Sequence, residues 1–466
     1  MLRLFNHYHS LVTLLLVTSE NLLILGTIYL AAFLKGSTGA GTTGRAVDPW
    51  LLPKALVLSC VCQFCLYFHD LYDLKLVRES RELYARLLQA LGVCSICVAI
   101  LYLVFPPLLL GQGVFVLAVL ILLALVSIWR LAFFWISRRR RFRRPILILG
   151  TGSLARKLCA EILDRPDVAL RVVGFVSDDS ELIGKSLVNP KVLGHHSDLS
   201  AIVAQERPYQ IVVAMEESRG KLPVKELLDL KLRGAKIEEA TALYEQITGK
   251  IAVENLRPSW LIFSEGFRKS WWIVSLKRAF GIFLSLLGLI VAFPVMIIIA
   301  ILIKMESKGP VFFQQERVGE NGRFFRLLKF RSMREDAEAL TGPVWASAND
   351  DRITRVGRFL RKVRLDELPQ FFNVLKGDMS FVGPRPERPH FVEQLSERIP
   401  YYSQRHTVKP GITGWAQINF HYGTSMEDTL EKLQYDLFYI KNMSISLDLS
   451  ILFQTIKIVL SGRGAH

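Results

Sequence analysis

Four apolar stretches crowd the first third of the chain, at residues 11–34, 50–68, 87–105 and 114–136. Each reaches or approaches the roughly 20 residues a helix needs to cross a ~30 Å hydrocarbon layer. A helix that is apolar all round has no polar face to offer water. The stretches therefore predict four N-terminal transmembrane helices within residues 1–140. The first lacks a small-residue cleavage site and is followed by three more, so it reads as an anchor and not a signal peptide.

Lysines and arginines in the connections set the orientation. The connection 35–49 carries only Lys35 and Arg45, the next carries Lys75, Arg78, Arg81 and Arg86, and "PPLLLGQG" carries none. The fourth stretch ends in "SRRRRFRRP". This alternation predicts a multi-pass protein with the N-terminus and everything after Arg144 in the cytoplasm. An arginine run directly after an apolar span is expected to rest on anionic membrane lipid, and no nucleic-acid partner is expected. The net charge of +16 fits that surface. Of the six cysteines, five lie inside apolar stretches and Cys159 in a helical segment; none has a neighbouring histidine or acid that would complete a metal site.

Beyond Arg144 the pattern changes. "PILILG", "LRVVGFVSD", "YQIVVAM" and "AKIEEA" read as strands, alternating with helical "SLARKLCAEIL" and helices near 197–206 and 223–232. Such alternation predicts a Rossmann-like, doubly wound domain over 145–250. Its first turn contains Gly150 and Gly152 in a G-x-G-x-x-A pattern, which would let backbone amides approach a phosphate at a helix N-terminus. NAD or another nucleotide is thus a candidate ligand, although the tight turn requires the glycines with or without one. No Tyr-x-x-x-Lys occurs, so the proton relay of a sugar-nucleotide dehydratase is missing.

Residues 251–276 read as a linker into a further apolar block, 277–304. That block is long enough to span, but Pro294 stands at its middle, where it removes a backbone bond and crowds the preceding turn. Lys277 and Arg278 precede it; Lys304 and Lys308 follow. A straight crossing would carry a basic C-terminal domain out of the cytoplasm, against the charge rule. The expectation is a re-entrant helix broken at Pro294. The whole is then a membrane protein of α plus α/β class, with a mainly α domain over 305–466.

That last domain is dense in Gly, Pro and Arg, as recognition of a polyphosphate requires. It contains the acidic pair Asp366-Glu367 in "RLDELPQ". Adjacent carboxylates repel, so something must offset the cost. One answer is local: Asp366 caps the helix "LDELPQFFNVLKG", with Pro369 in its first turn and Gly377 as its stop. The other is chemical. Arg355, Arg358, Arg361, Lys362, Arg364 and Arg385 surround the pair in sequence and would keep a carboxylate ionised and attract an anion. Adjacent acids with a divalent metal suit phosphoryl transfer, and an aspartate can be the nucleophile.

"KFRSM", "LDELPQFFNVLKGDMSFVGPRP" and "PGITGWAQIN" resemble the signatures of the bacterial sugar transferase family, the polyprenyl-phosphate hexose-1-phosphate transferases (monotopic phosphoglycosyl transferases). The motifs cover the C-terminal ~200 residues, and the domain order resembles that of the family's larger members. "YEQITGKIAVENLRPSW" is similar to an exosortase-associated exopolysaccharide branch.

The resemblance implies transfer of a sugar 1-phosphate from a UDP-sugar to undecaprenyl phosphate, with release of UMP. It makes Asp366 the nucleophile that holds a covalent phosphosugar. Glu367 would join it in binding Mg²⁺ (or Mn²⁺) and assist proton transfer. Lys329, Arg361 and Arg385 would hold phosphates, and Asp436 would complete the polar site. It further implies the bacterial inner membrane, a homodimer, and downstream glycosyltransferases that extend the product. The chain departs from the family at Gly281, where an aspartate is common in "KRxxD", and at Phe293-Pro294, where Ser-Pro commonly marks the helix break. Two rival functions remain at this level: a membrane-anchored sugar-nucleotide oxidoreductase or dehydratase using the middle domain, and a non-catalytic scaffold.

Overall fold

In the computed structural model two short strands, Leu2–Leu4 and His7–His9, precede four apolar helices: α1 (Leu11–Thr38), α2 (Leu51–Phe68), α3 (Ser80–Val104) and α4 (Val114–Arg138). The structure describes residues 2–4, 7–9, 11–38, 50–72, 80–110, 114–138, 143–165, 168–215, 222–256, 261, 264, 266–267, 270–334, 352–420 and 425–460. Most of the "RRRRFRR" run lies outside them. Each of the four helices contains a segment long and apolar enough to cross a membrane. Leu16, Ile24, Leu58, Leu66, Leu87 and Leu122 form their shared core. Within it, Arg130 Nη2 lies 2.9 Å from Glu20 Oε2, and Arg130 Nη1 donates to the carbonyl of Leu71 at 2.6 Å. One buried arginine thus ties α1, α4 and the turn after α2 together.

The middle domain is a five-stranded parallel sheet of β1 (Arg144–Leu149), β2 (Leu170–Ser177), β3 (Val192–His195), β4 (Gln210–Val213) and β5 (Lys236–Glu239), in spatial order β3-β2-β1-β4-β5. It is the parallel sheet expected from the alternation, with the short strand β3 added. Helices α5 (Ser153–Asp164), α6 (Leu199–Glu206) and α7 (Val224–Leu232) connect strands. Gly150 and Gly152 form the turn from β1 to α5, and Gly152 is the N-cap. Gly150 has φ +115°, and a Cβ there would lie 2.8 Å from the carbonyl oxygen of Ala214 after β4. The crowded strand ends therefore require glycine at 150 whether or not a ligand binds.

The next helix, α8 (Ala240–Thr248), contains the boundary between the two compact units of the chain, after Leu243. The boundary expected at 250 falls earlier because residues 244–256 belong to the C-terminal core. Ile251 and Val253 are buried there, the Ile251 amide donates to the Gln434 carbonyl, and Trp415 Nε1 donates to the Gly249 carbonyl. Part of the supposed linker is thus a packed strap.

The C-terminal unit opens with α9 (Trp271–Glu306), which is helical without interruption through Pro294. Pro294 therefore does not end the helix. Proline withdraws one N–H, and the neighbouring bonds of the ladder carry the helix across it. After α9 come the antiparallel hairpin β6 (Phe312–Val318) and β7 (Phe324–Phe330), then α10 (Arg355–Lys362) and α11 (Gln370–Lys376). Strand β8 (Ser380–Val382) pairs in parallel with β9 (Gly411–Thr413), with α12 (Pro389–Arg398) between them. Helices α13 (Trp415–Asn419), α14 (Met426–Lys441) and α15 (Ile445–Leu460) close the described chain.

The membrane-length helix α9 is built into this unit at its start. Ser285 is fully buried and a Cβ on Gly288 would meet the Phe371 ring at 2.7 Å, so small residues let α9 approach α11 closely. Arg278 donates to the carbonyls of Val374 and, at 2.7 Å, Leu375, capping the C-terminal end of α11. Lys277 is paired with Asp448 of α15. The helix start is thus held by Lys277 and Arg278, with Gly281 serving close packing.

Candidate active site

Asp366 and Glu367 do not begin an α-helix. Arg364 adopts a left-handed conformation (φ 57°), Leu365–Glu367 form a single 3-10 turn, and α11 follows after Pro369. Neither helical start carries a side-chain cap bond. The capping explanation for Asp366 is therefore wrong: its side chain is turned into the unit and 6% exposed. Gly377, with φ +97°, does terminate α11 as the sequence indicates.

Cations offset the repulsion between the two acids. Lys329 of β7 donates to Glu367 Oε1 at 3.0 Å and stands 3.9 Å from Asp366 Oδ2. Arg385, on the loop after β8, reaches the same Glu367 oxygen at 3.2 Å. Asn373, almost fully buried on α11, fixes the spacing between helix and strand. It accepts from the Leu328 amide at 2.9 Å and donates to the Arg326 carbonyl at 2.8 Å. Nothing in "QFFNVLK" sets it apart in the sequence. Arg361 of α10 donates through Nε to Ser332 of "KFRSM" at 2.9 Å, and its charge acts on Asp366.

The two carboxyls are driven apart in acidity. Burial pushes Asp366 above its ordinary value, Lys329 opposes this, and Glu367 adds to it. Burial acts on Glu367 in the same sense, but Lys329 and Arg385 outweigh it and hold that carboxyl well below the usual range. One acid is thus fixed as an anion by two cations. The other is a more basic carboxyl with a lighter cationic grip, as suits a nucleophile beside a binding group.

Asp436 is not brought to the pair. It is buried on α14 and accepts from Arg405 at 2.8 Å; burial pushes it up to about 6 against the pull of that arginine. Arg405 in turn donates to the backbone carbonyl of Arg385 at 3.0 Å. Asp436 therefore holds Arg405 and, being buried, makes no surface for substrate.

Among the described residues no cluster of three or more His, Cys, Asp or Glu side chains is poised to hold a metal. The carboxylate oxygens of Asp366 and Glu367 are donors of the class that magnesium takes. Mg²⁺ takes hard oxygen ligands and is commonly bound by one or two carboxylates completed by substrate phosphates and water.

A family model described as bacterial sugar transferase matches residues 272–462, and one described as a CoA-binding domain matches residues 68–229. The chain is 46% identical over 222 residues to a UDP-N-acetylgalactosamine-undecaprenyl-phosphate N-acetylgalactosaminephosphotransferase of Aeromonas hydrophila, covering 48% of this chain and 52% of that protein. It is 36% identical over 336 residues to an undecaprenyl-phosphate glucose phosphotransferase of Komagataeibacter xylinus, covering 70% and 61% respectively. It is 43% identical over 189 residues to an exopolysaccharide production protein of Rhizobium leguminosarum bv. phaseoli, covering 39% of this chain and 93% of that one. The chain thus spans about half to three-fifths of the length of the first two relatives.

Proposed function

Because the chain belongs to the bacterial sugar transferase family, we propose that it transfers a sugar 1-phosphate from a UDP-sugar to undecaprenyl phosphate. UMP is the other product, and the lipid-linked sugar starts an exopolysaccharide repeat unit that downstream glycosyltransferases extend. The observation that carries this reading is the buried Asp366 beside Glu367, with Lys329 facing both.

In the first step an Asp366 carboxylate oxygen attacks the sugar-bearing phosphorus. A new O–P bond forms, the P–O bond to the bridging oxygen breaks, and UMP leaves with that oxygen. In the second step an oxygen of undecaprenyl phosphate attacks the same phosphorus, and the acyl-phosphate bond breaks to restore Asp366. Lys329, Arg361 and Arg385 offer the cationic surroundings in which phosphate charge is bound and the developing charge stabilised. Glu367, held as an anion, orients Lys329 and Arg385. Magnesium (or manganese) held by Asp366 and Glu367 would supply Lewis acidity to the diphosphate. A two-step route lets a soluble nucleotide and a lipid phosphate use one site in turn.

The expected setting is the inner membrane with the site on the cytoplasmic side, where UDP-sugars are made, and α9 entering the bilayer as a re-entrant helix. The test is UMP release by the full chain from a panel of UDP-sugars, with undecaprenyl phosphate and Mg²⁺. Release dependent on the lipid phosphate and on one sugar class is expected. No release from any member of the panel would reject the reading.

A further inference from the structure

The loop that carries Arg385 is held far more firmly than its length requires. Lys277 Nζ donates to the Val382 carbonyl at 3.4 Å, with Tyr439 OH 3.1 Å from the same oxygen. The Gly411 amide donates to the Pro384 carbonyl at 2.9 Å, and Arg405 Nη2 to the Arg385 carbonyl at 3.0 Å. Arg317 takes the Pro386 carbonyl at 3.0 Å, and the Val318 amide takes that of Glu387. Space is equally closed: a Cβ on Gly383 would stand 2.4 Å from the Lys409 carbonyl oxygen.

Two of these donors are themselves fixed by buried acids. Arg405 is held by Asp436 at 2.8 Å, and Lys277 is paired with Asp448, to whose Oδ1 the Tyr439 hydroxyl donates at 2.8 Å. Asp436 and Tyr439 are three residues apart on α14 and so share one face. Buried charges are a poor device for stability alone, since apolar replacements of equal volume often serve better. What these two have in common is the backbone on either side of Arg385.

Resting on the transferase reading above, we infer that α14 is a clamp that positions Arg385. Tyr439 donates to Asp448 and accepts from Lys277, and so fixes the ammonium that holds the Val382 carbonyl, while Asp436, through Arg405, holds the carbonyl of Arg385 itself. The guanidinium therefore reaches Glu367 and an incoming diphosphate from a backbone that does not drift. Lys277 joins the membrane-length helix to the same carbonyl and to Asp448. Tyr439 and Arg405 are positioning residues, acting only through Arg385.

The experiment is a double-mutant cycle on the full chain: wild type, Tyr439→Phe, Arg385→Ala and the double variant. It is read both by kcat/KM for UMP release and by equilibrium affinity for UDP. Phe keeps the ring and removes only the hydroxyl. Tyr439→Phe should lower kcat/KM roughly 10- to 100-fold, the scale of a small misplacement of a reacting-site group. In the Arg385→Ala background the same change should cost about 2-fold or less, because independent sites add and shared ones do not. Should Tyr439→Phe fail to fold, Arg405→Lys runs the same cycle. Equal losses in both backgrounds would mark a merely structural role and overturn the clamp. A wild type with turnover but additive losses rejects the clamp alone. One that binds UDP without turnover leaves the decision to the affinity cycle. Neither turnover nor UDP binding rejects the transferase reading and the clamp together.

Discussion

Lys329 donates to Glu367 across 3.0 Å, and the same ammonium stands 3.9 Å from Asp366. One strand lysine thus faces both acids, and its removal should be felt by both. Lys329→Met should lower the initial rate of UMP release about 10²-fold or more, the usual scale for losing a group that stabilises developing charge. Lys329→Arg should recover only part of it, since a planar fork does not replace a point charge. A Lys329→Met enzyme within a few-fold of wild type would remove the lysine from the site.

Gly357 predicts a failure of a different kind. A Cβ there would lie 2.0 Å from the Ser332 carbonyl oxygen, a backbone atom with no freedom to swing away. Gly357→Ala should push α10 off the "KFRSM" segment and separate Arg361 from Ser332. A loss of about 1–3 kcal/mol of stability is expected. The check is the thermal unfolding midpoint in detergent, read beside activity. An unchanged midpoint would show that α10 can shift without cost.

The pair Glu20–Arg130 should behave as a buried charge pair does. Arg130→Met alone leaves Glu20 unpaired in the bundle and should cost about 3–5 kcal/mol, whereas Glu20→Met with Arg130→Met should recover much of it. Thermal or denaturant stability of the four variants measures this. Equal stability of the single and double variants would contradict it.

The topology of α9 is tested at its two ends. Cysteines in place of Ser270 and Lys308 should both be labelled from the cytoplasmic side and neither from outside. External labelling of either would mean that α9 crosses. Pro294→Leu should restore the missing backbone bond and shift the helix toward crossing, visible as new external labelling at 308.

The large divisions of this chain were readable because each has its own hydrophobic period. Unbroken apolar runs gave α1 to α4, and strand-helix alternation gave the parallel sheet. The acidic pair was readable because it is isolated among arginines. What escaped was whatever depends on partners distant in sequence. Asn373 looks like an ordinary helix residue until β7 lies against it, and Arg405, Tyr439 and Asp448 acquire meaning only when α14 meets the Arg385 loop. Asp436 was recognised as important but assigned to the substrate, because a motif shows that a residue matters without showing which way it points. Residues 251–256 were taken for linker because their apolar run, "IAV", is too short to signal a core position, and 244–250 were assigned to the middle domain. Pro294 was expected to bend the helix, and α9 runs through it as one continuous helix because the neighbouring bonds of the ladder outweigh the one that proline removes.

The central claim is that Asp366 is the nucleophile, and one measurement addresses it directly. Cleavage after Arg364 and Lys376 releases "LDELPQFFNVLK", which contains both acids. Enzyme mixed with UDP-sugar and Mg²⁺, without undecaprenyl phosphate, should yield this peptide heavier by one sugar phosphate. Fragmentation should place the mass on Asp366, and Asp366→Asn should abolish both the adduct and UMP release. An unmodified peptide together with full turnover by Asp366→Asn would contradict the account.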